Sequence, residues 1–496
     1  MKGEYKVILS ILVVVLAIAV FASLYEPDGG DDNTVWDSST PDKVITPVPG
    51  SNNYAISLLS SAGGTTSGGG AYKSGSYVTI KAMPNNGYEF GGWYEDGTIL
   101  STSPNYQFLC SANKTITPLF NKLSFSVSIF SNYPSAGTFT GDGTYPYETV
   151  ATLNATITPG YLFSGWYVNG VSVSSSQNAK YTVVGNASIE SRYAINHDAS
   201  FSVSKTSSLA PSTVSTTSKY NVEISSRTWN TIDLMTGSTI GNQSYSGNSG
   251  NAIVNNYSSG RALSVTQTVV YSDGYKSTYT EKIVIDEIVS KHYEWNYQQK
   301  AWHSILTSWI WNNKTAKWDV PLSFDTYYKY HVMERSYART QSSISNYITS
   351  NDLTIQNLVR SLNDLTSEMS DLERVNCVLK FVQSIPYVFD IDNKGVNEYW
   401  NYPVETLWEK KGDCDDHAIL FATLIKAMGY KVAIFILPGH MAAGVSVPDA
   451  SGTYVEYGGI KYFYCEATAL VGGDWVNQAN VGYMPPQFTT VSIYVV

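Results

Sequence analysis

The hydrophobic pattern changes character along the chain, and each change predicts a different kind of element. Residues 7–24 (VILSILVVVLAIAVFASL) are unbroken by charge, Pro or Gly. As a helix they rise ~27 Å, close to the hydrocarbon thickness of a bilayer. Lys2 and Lys6 precede the run, and Glu26, Asp28, Asp31 and Asp32 follow it. This asymmetry predicts a transmembrane anchor over 1–25 that crosses the cell membrane once, with the N-terminus cytoplasmic and the C-terminal domains extracellular. A cleaved signal peptide is the rival reading. Its apolar core is usually about 7–15 residues long, and Ser23-Leu24-Tyr25-Glu26-Pro27 makes a poor cleavage exit. Both readings export the rest of the chain.

Residues 26–53 are rich in Gly, Pro and acidic residues and read as a linker. From 54 onward, short apolar–polar alternations such as 76–82 and 149–156, bounded by Gly, Asn and Pro, predict strands and turns. The pattern also repeats. Gly87-Tyr88-Glu89-Phe90-Gly91-Gly92-Trp93-Tyr94 returns as Gly160-Tyr161-Leu162-Phe163-Ser164-Gly165-Trp166-Tyr167, an offset of 73 residues. The same offset carries Cys110 to Val183, Asn113 to Asn186, Ile116 to Ile189 and Phe120 to Tyr193. Two units are therefore expected, 54–123 and 124–195, with Trp93 and Trp166 as core aromatics.

Alternation continues over 199–288 through Phe201-Ser202-Val203-Ser204, Trp229 and an Asp273-Gly274 turn, which predicts a further β-sandwich. Residues 289–350 read as a connector that gathers Trp295, Trp302, Trp309, Trp311 and Trp318 among tyrosines. These rings are expected to bury the junction with the last domain; a sugar-stacking surface is the alternative. At 351 the period becomes helical, with Leu353, Leu358, Val359, Leu362 and Leu365. A capping-box sequence, Ser370-Asp371-Leu372-Glu373, opens a second helix before Val375, Val378, Leu379 and Val382. A third runs from Cys414 to a glycine cap at Gly429. Strands follow at 432–437, 442–447 and 460–466, so 351–496 is expected to be a mixed α+β domain.

Composition narrows the function classes. Only 15% of residues are charged, against about 25% in an ordinary soluble domain, while 43% are hydrophobic and 13% aromatic. That excludes a disordered chain. A single spanning run excludes a polytopic membrane protein. A net charge of −10 with no basic stripe argues against nucleic acid as a partner. Six N-x-[ST] triplets, at Asn113, Asn154, Asn186, Asn242, Asn256 and Asn313, are compatible with surface glycosylation.

Candidate chemistry concentrates at Gly412-Asp413-Cys414-Asp415-Asp416-His417. Cys414 falls in the first turn of its helix, where backbone N–H groups and the dipole favour an anion. A thiolate is the reactive form, and an imidazolium partner stabilises it. Asp413, Asp415 and Asp416 act in the opposite sense. His440 follows Cys414 by 26 residues and Glu466 follows His440 by another 26. A helix start, a strand end and a neighbouring strand can bring the three together, as a nucleophile with a base and an orienting acid requires.

Other readings of these residues are metal-based. Cys414, His417 and His440 with a carboxylate resemble a zinc set, but closely spaced Cys or His pairs are lacking. His417 is otherwise a core or surface residue of the helix. Asp390-Ile391-Asp392-Asn393-Lys394-Gly395 suggests a calcium loop, yet Lys394 takes a ligand position and Asn401 stands where a bidentate Glu belongs. No metal or cofactor is expected. Cys110, Cys377 and Cys465 read as inert, and a Cys377–Cys465 disulfide is compatible with export.

The two repeats resemble divergent internalin-B-type repeats of bacterial and archaeal surface proteins, on the strength of the GY-x-F-x-GW core. That resemblance implies β-rich spacers or adhesive stalks, with cell-surface glycan or protein ligands. Residues 199–288 resemble a PKD-type, immunoglobulin-like sandwich. Phe381-Val382-Gln383-Ser384-Ile385-Pro386-Tyr387, Tyr402-Pro403-Val404-Glu405-Thr406-Leu407, Gly412-Asp413-Cys414-Asp415-Asp416, Gly439-His440-Met441 and Glu466-Ala467-Thr468 together resemble a transglutaminase-like, papain-related core of the form seen in archaeal surface proteins. The resemblance implies Cys414 as nucleophile, His440 as base and Glu466 as orienting acid, with Glu in a place where the family more often has Asp. Tyr399 or Trp400 is the expected second oxyanion donor. A protein or peptide amide at the cell envelope is the implied substrate, with hydrolysis favoured over cross-linking. The rival reading is a non-catalytic adhesion or structural protein with a silent transglutaminase-like fold.

Overall fold

A computed structural model describes residues 52–304, 308–468, 480–485 and 491–496. The anchor expected at 1–25 and nearly all of the linker lie outside the described residues. No helix among the described residues is long and apolar enough to cross a membrane. The chain divides into two compact units, one holding 163–193 with the residues up to 157, the other holding 158–162 and 194–496.

In the first unit each repeat builds one five-stranded and one three-stranded sheet. In the first repeat Asn53–Leu58 pairs in parallel with Lys114–Lys122 and antiparallel with Gly70–Lys73. The second repeat uses the same plan: Ser124–Ser131 runs parallel to Ala187–Ile195 and antiparallel to Gly143–Pro146. Alternation does the sorting. Val78 and Ile80 point inward from Tyr77–Pro84, whereas Tyr77, Thr79 and Lys81 are exposed. Trp93 and Trp166 are fully buried, one in each core, and Cys110 and Val183 fill equivalent buried positions. The repeat-related asparagines have a structural use: Asn113 Oδ1 accepts from Ala55 N, and Asn186 Oδ1 from Ser126 N, each at 2.8 Å.

The second unit begins with an antiparallel sandwich. Phe201–Lys205, Ser212–Ser218 and Ala252–Tyr257 form one sheet, and Thr239–Ser246, Ile224–Asp233, Arg261–Tyr271 and Lys276–Ile285 form the other. Trp229, Phe201, Leu263 and Ile285 belong to the core between them.

A long hairpin follows, β1 (Ile288–His303) and β2 (Ser308–Ser323), paired from Ile288↔Ser323 to His303↔Ser308. Seven helices come next: α1 (Phe324–His331), α2 (Gln341–Tyr347), α3 (Leu353–Leu365), α4 (Asp371–Gln383), α5 (Asp390–Asn393), α6 (Pro403–Glu409) and α7 (Cys414–Ala427). An antiparallel sheet completes the domain, with β3 (Lys431–Leu437), β4 (His440–Ser446), β5 (Tyr454–Tyr457), β6 (Ile460–Cys465) and β7 (Ser492–Val495) in the order β5-β6-β4-β3-β7. The apolar helix α7 packs on β3 and β4.

The hairpin belongs to the core of this domain. Tyr293, Trp295 and Trp318 surround Phe381 of α4 with ring centroids 5.2, 5.0 and 5.1 Å away. Trp295 Nε1 donates to Cys377 O at 3.1 Å, and the Tyr293 hydroxyl donates to Leu407 O at 2.6 Å. The expected burial of the tryptophan cluster thus holds for Trp295 and Trp318, while Trp311 is exposed. One hydrophobic cluster includes Ala262 of the sandwich and runs on from Tyr293 to Val481, so the residues read as a connector and those read as a domain share one interior.

Candidate active site

Cys414 is the first residue of α7 and is half-buried. Its position is set by the turn before it. Gly412 bridges Tyr387 in parallel, donating its N–H to Pro386 O at 3.2 Å and accepting from Val388 N at 3.0 Å. Glycine is needed at 412, because a Cβ there would stand 2.6 Å from Asp416 Cβ. Asp416, fully buried, ties the turn down. Its Oδ1 accepts from Asn401 N at 2.7 Å, and its Oδ2 accepts from Asn401 Nδ2 at 2.8 Å and Asp413 N at 3.4 Å. Within the acidic run Asp413 is the N-cap of α7 and Asp416 closes its capping box.

His440 opens β4, immediately after the turn at Gly439 (φ +69°). Glu466 follows β6, the strand paired with β4. His440 Nε2 lies 2.9 Å from Glu466 Oε2 and 3.2 Å from Oε1. That leaves Nδ1 as the ring nitrogen for the Cys414 thiol, which is hydrogen-bonded to the imidazole. Glu466 is 1% exposed. Its Oε2 also accepts from the Tyr464 hydroxyl at 3.0 Å, and its Oε1 accepts from Thr468 Oγ1 at 2.6 Å and Thr468 N at 3.2 Å. Gln383 Nε2 of α4 donates to the Glu466 carbonyl at 2.7 Å. Cys414, His440 and Glu466 are thus brought together in that order.

The electrostatics follow from these contacts. Burial lowers the His440 pKa, but the hydrogen bonds and charges of Cys414 and Glu466 outweigh it and raise the imidazole to about 9. Burial raises Glu466, and the His440 and Thr468 contacts more than offset this, holding the carboxyl below its ordinary value. Asp390 is pushed up to about 7 by burial and then by the charge of Asp413. Asp415 is raised well above the usual range, by burial first and then by Asp416 and Asp413.

Tyr387 is a site residue to which no role was assigned from sequence. Its side chain hydrogen-bonds the Cys414 thiol, and burial followed by the charges of Cys414 and Asp413 pushes its pKa up. The signal available was only its place at the end of the Ile385-Pro386-Tyr387 stretch. The residues expected as oxyanion donors make other contacts. The Tyr399 hydroxyl lies 3.3 Å from Glu405 Oε1 and 3.5 Å from His331 Nδ1, and Trp400 Nε1 donates to Glu398. Neither has a hydrogen bond to Cys414 among the described residues.

The remaining sequence candidates are placed as follows. His417 is fully buried beside Tyr387, at a ring-centroid distance of 6.1 Å, and burial lowers it to about 4. It is a neutral core imidazole, and among the described residues it does not group with Cys414 and His440 as a metal-ligand set. Cys377 and Cys465 are both buried and both free thiols, so the disulfide allowed by the sequence is not formed. Burial raises Cys377 to about 12 and holds Cys465 well above the usual thiol range.

Comparison with known families agrees with this division of the chain. Residues 54–124 and 130–197 match the divergent InlB B-repeat domain, and residues 359–457 match the transglutaminase-like superfamily. No curated protein matches the chain. The protein carries two divergent InlB B-repeat domains followed by a C-terminal transglutaminase-like α+β domain.

Proposed function

We propose that the C-terminal domain is a cysteine-dependent acyl-transfer enzyme acting on peptide or protein amides, presented at the cell surface by the β modules. One observation carries the reading: His440 is held between the Cys414 thiol and a buried Glu466 that is itself saturated with donors. A solvated surface His has no need of such a carboxylate. The Cys414 sulfur attacks the amide carbonyl and forms the carbon–sulfur bond. His440 supplies a proton to the departing nitrogen as the carbon–nitrogen bond breaks. Water then hydrolyses the thioester, or a Lys amine captures it. Hydrolysis, giving a peptidase or amidase, is the favoured outcome by resemblance to prokaryotic members of the superfamily. Tyr387 shares the thiol with His440 and helps to orient the sulfur.

The wider setting is part of the proposal. Residues 7–24 anchor the chain in the membrane, and the repeats with the PKD-like sandwich act as a stalk that meets envelope proteins or glycans. Purified protein incubated with envelope peptides tests the chemistry. Loss of turnover in Cys414→Ala, together with iodoacetamide labelling of Cys414 faster than a model thiol at pH 6–7, is the expected result. Turnover unchanged by that substitution, or a thiol no faster than the model, sinks the enzymatic reading in favour of a silent fold with an adhesive role.

A further inference from the structure

Three carboxylates converge beside Cys414 with oxygens that nothing in the described chain satisfies. Asp390 begins α5, and Asp413 and Asp415 flank Cys414 in sequence. Their ligand-type oxygens lie within 4.8 Å of one another. The residues are 3%, 9% and 5% exposed respectively. In each of them Oδ1 is buried and has no hydrogen-bond partner. Asp390 is oriented by its other oxygen, which accepts from Tyr399 N. Its neighbour Asp416 has both oxygens occupied by Asn401, and the Asp413 and Asp415 side chains hydrogen-bond each other, so what the three facing groups lack is a partner for each Oδ1.

No side-chain cation among the described residues is paired with these three carboxylates. Lys394 is the basic residue acting on Asp390, and its Nζ is committed to Glu409 Oε1 at 2.5 Å, in a pair that is itself mostly buried. Glu398 adds further negative charge toward Asp390 and Asp413. Burying ionised carboxylates without a counter-charge is among the costliest arrangements in a protein interior, and paired charges or metal coordination are its usual resolution. We propose that Asp390, Asp413 and Asp415 form a binding site for a hard divalent cation, Ca2+ by its donor chemistry, next to the thiol site. The set is all oxygen. Ligands at ~2.3–2.6 Å from one Ca2+ stand no more than about 5 Å apart, which these oxygens satisfy. Water completes the shell. A soft thiol is a poor ligand for such an ion, so Cys414 stays free of it. The site joins the start of α5 to the start of α7 and differs from the rejected EF-hand reading, since Asp392 is exposed and takes no part.

The test needs no substrate, so its failure leaves the thiol chemistry standing, and an inert enzyme would still bind the ion. Full-length protein freed of metal with EDTA is titrated with Ca2+ by calorimetry, and its thermal melt is followed with and without Ca2+. The expected result is one saturable site and a rise of several degrees in the melt. Terbium luminescence, sensitised by nearby aromatic rings, should appear in the wild type and in Asp392→Asn. It should be lost in Asp390→Asn and Asp415→Asn. If either of these fails to fold, Asp390→Glu replaces it, keeping the charge but displacing the carboxylate, and should also lose affinity. The proposal is overturned by a wild-type melt and heat that ignore millimolar Ca2+, or by terbium binding that survives both asparagine substitutions. The carboxylates would then be sharing protons.

Discussion

His440 sets the pH behaviour of the site. Its folded pKa of about 9 lies above the unfolded value of 6.5, so the folded state holds the proton more tightly. The stabilisation is fully present below pH 6.5 and is lost as pH rises through about 9. Urea unfolding between pH 6 and 10 should show this decline, and His440→Gln should flatten it. Glu466 behaves in the opposite sense: its depressed pKa contributes stability above the unfolded value and loses it as pH falls through the folded one. Replacing it with Gln keeps the shape but removes the charge that orients the imidazole. Glu466→Gln should lower kcat/KM by about 10²–10⁴-fold, with far-UV circular dichroism unchanged. A loss below tenfold would show that the carboxylate does not orient the base.

The interactions that hold these residues belong to elements. Phe381 lies at the centre of three hairpin aromatics, so Phe381→Ala removes a shared contact from α4, β1 and β2. It should cost about 3–5 kcal/mol in chemical denaturation. Arg335 Nη2 donates to both oxygens of the fully buried Glu405, at 2.7 and 2.6 Å, beside the cap of α6. Arg335→Met removes the guanidinium and leaves that carboxylate with only the Tyr402 N–H, the Tyr399 hydroxyl and His331, which should cost about 3–5 kcal/mol; a change under 1 kcal/mol would show that these remaining contacts suffice. Elements with strong local signals were legible in the sequence. The capping box at Ser370 and Glu373 forms as expected at the start of α4, and α7 ends against Gly429 at φ +100°. Helices α1, α2, α5 and α6 escaped the periodicity argument, since four to eight residues barely complete two turns. Aromatic residues of modest helix propensity fill α1, which is held instead by tertiary packing of Phe324, Tyr327 and Trp408.

Over the whole molecule, the boundary between the β modules and the transglutaminase-like domain matters most. The hairpin looked like a connector because its strands alternate in the same way as the modules before it. Its inward face supplies Tyr293, Trp295 and Trp318 to the core around α4, so truncation has a sharp expected outcome. A chain starting at 199 should retain a cooperative melt of the C-terminal domain, whereas one starting at 324 should lose it. Equal melts for the two would mean that the helical domain is self-sufficient.

Local periodicity and repetition were enough to encode the paired β units with one buried Trp each, the α+β character of the C-terminal region, and Cys414 at a helix start. Local signals have this reach because side-chain direction follows from the period of the backbone. Tertiary structure alone decided the rest. It joined residues 26 positions apart into a Cys414–His440–Glu466 line, placed Tyr387 at the sulfur and turned Tyr399 and Trp400 to other partners. It also turned one acidic run to two uses: Asp413 and Asp416 form the capping box of α7, while the Oδ1 atoms of Asp413 and Asp415 face Asp390 without partners. Hydrogen bonding and desolvation depend on what stands across the interior from a side chain, and that is set by how the elements pack.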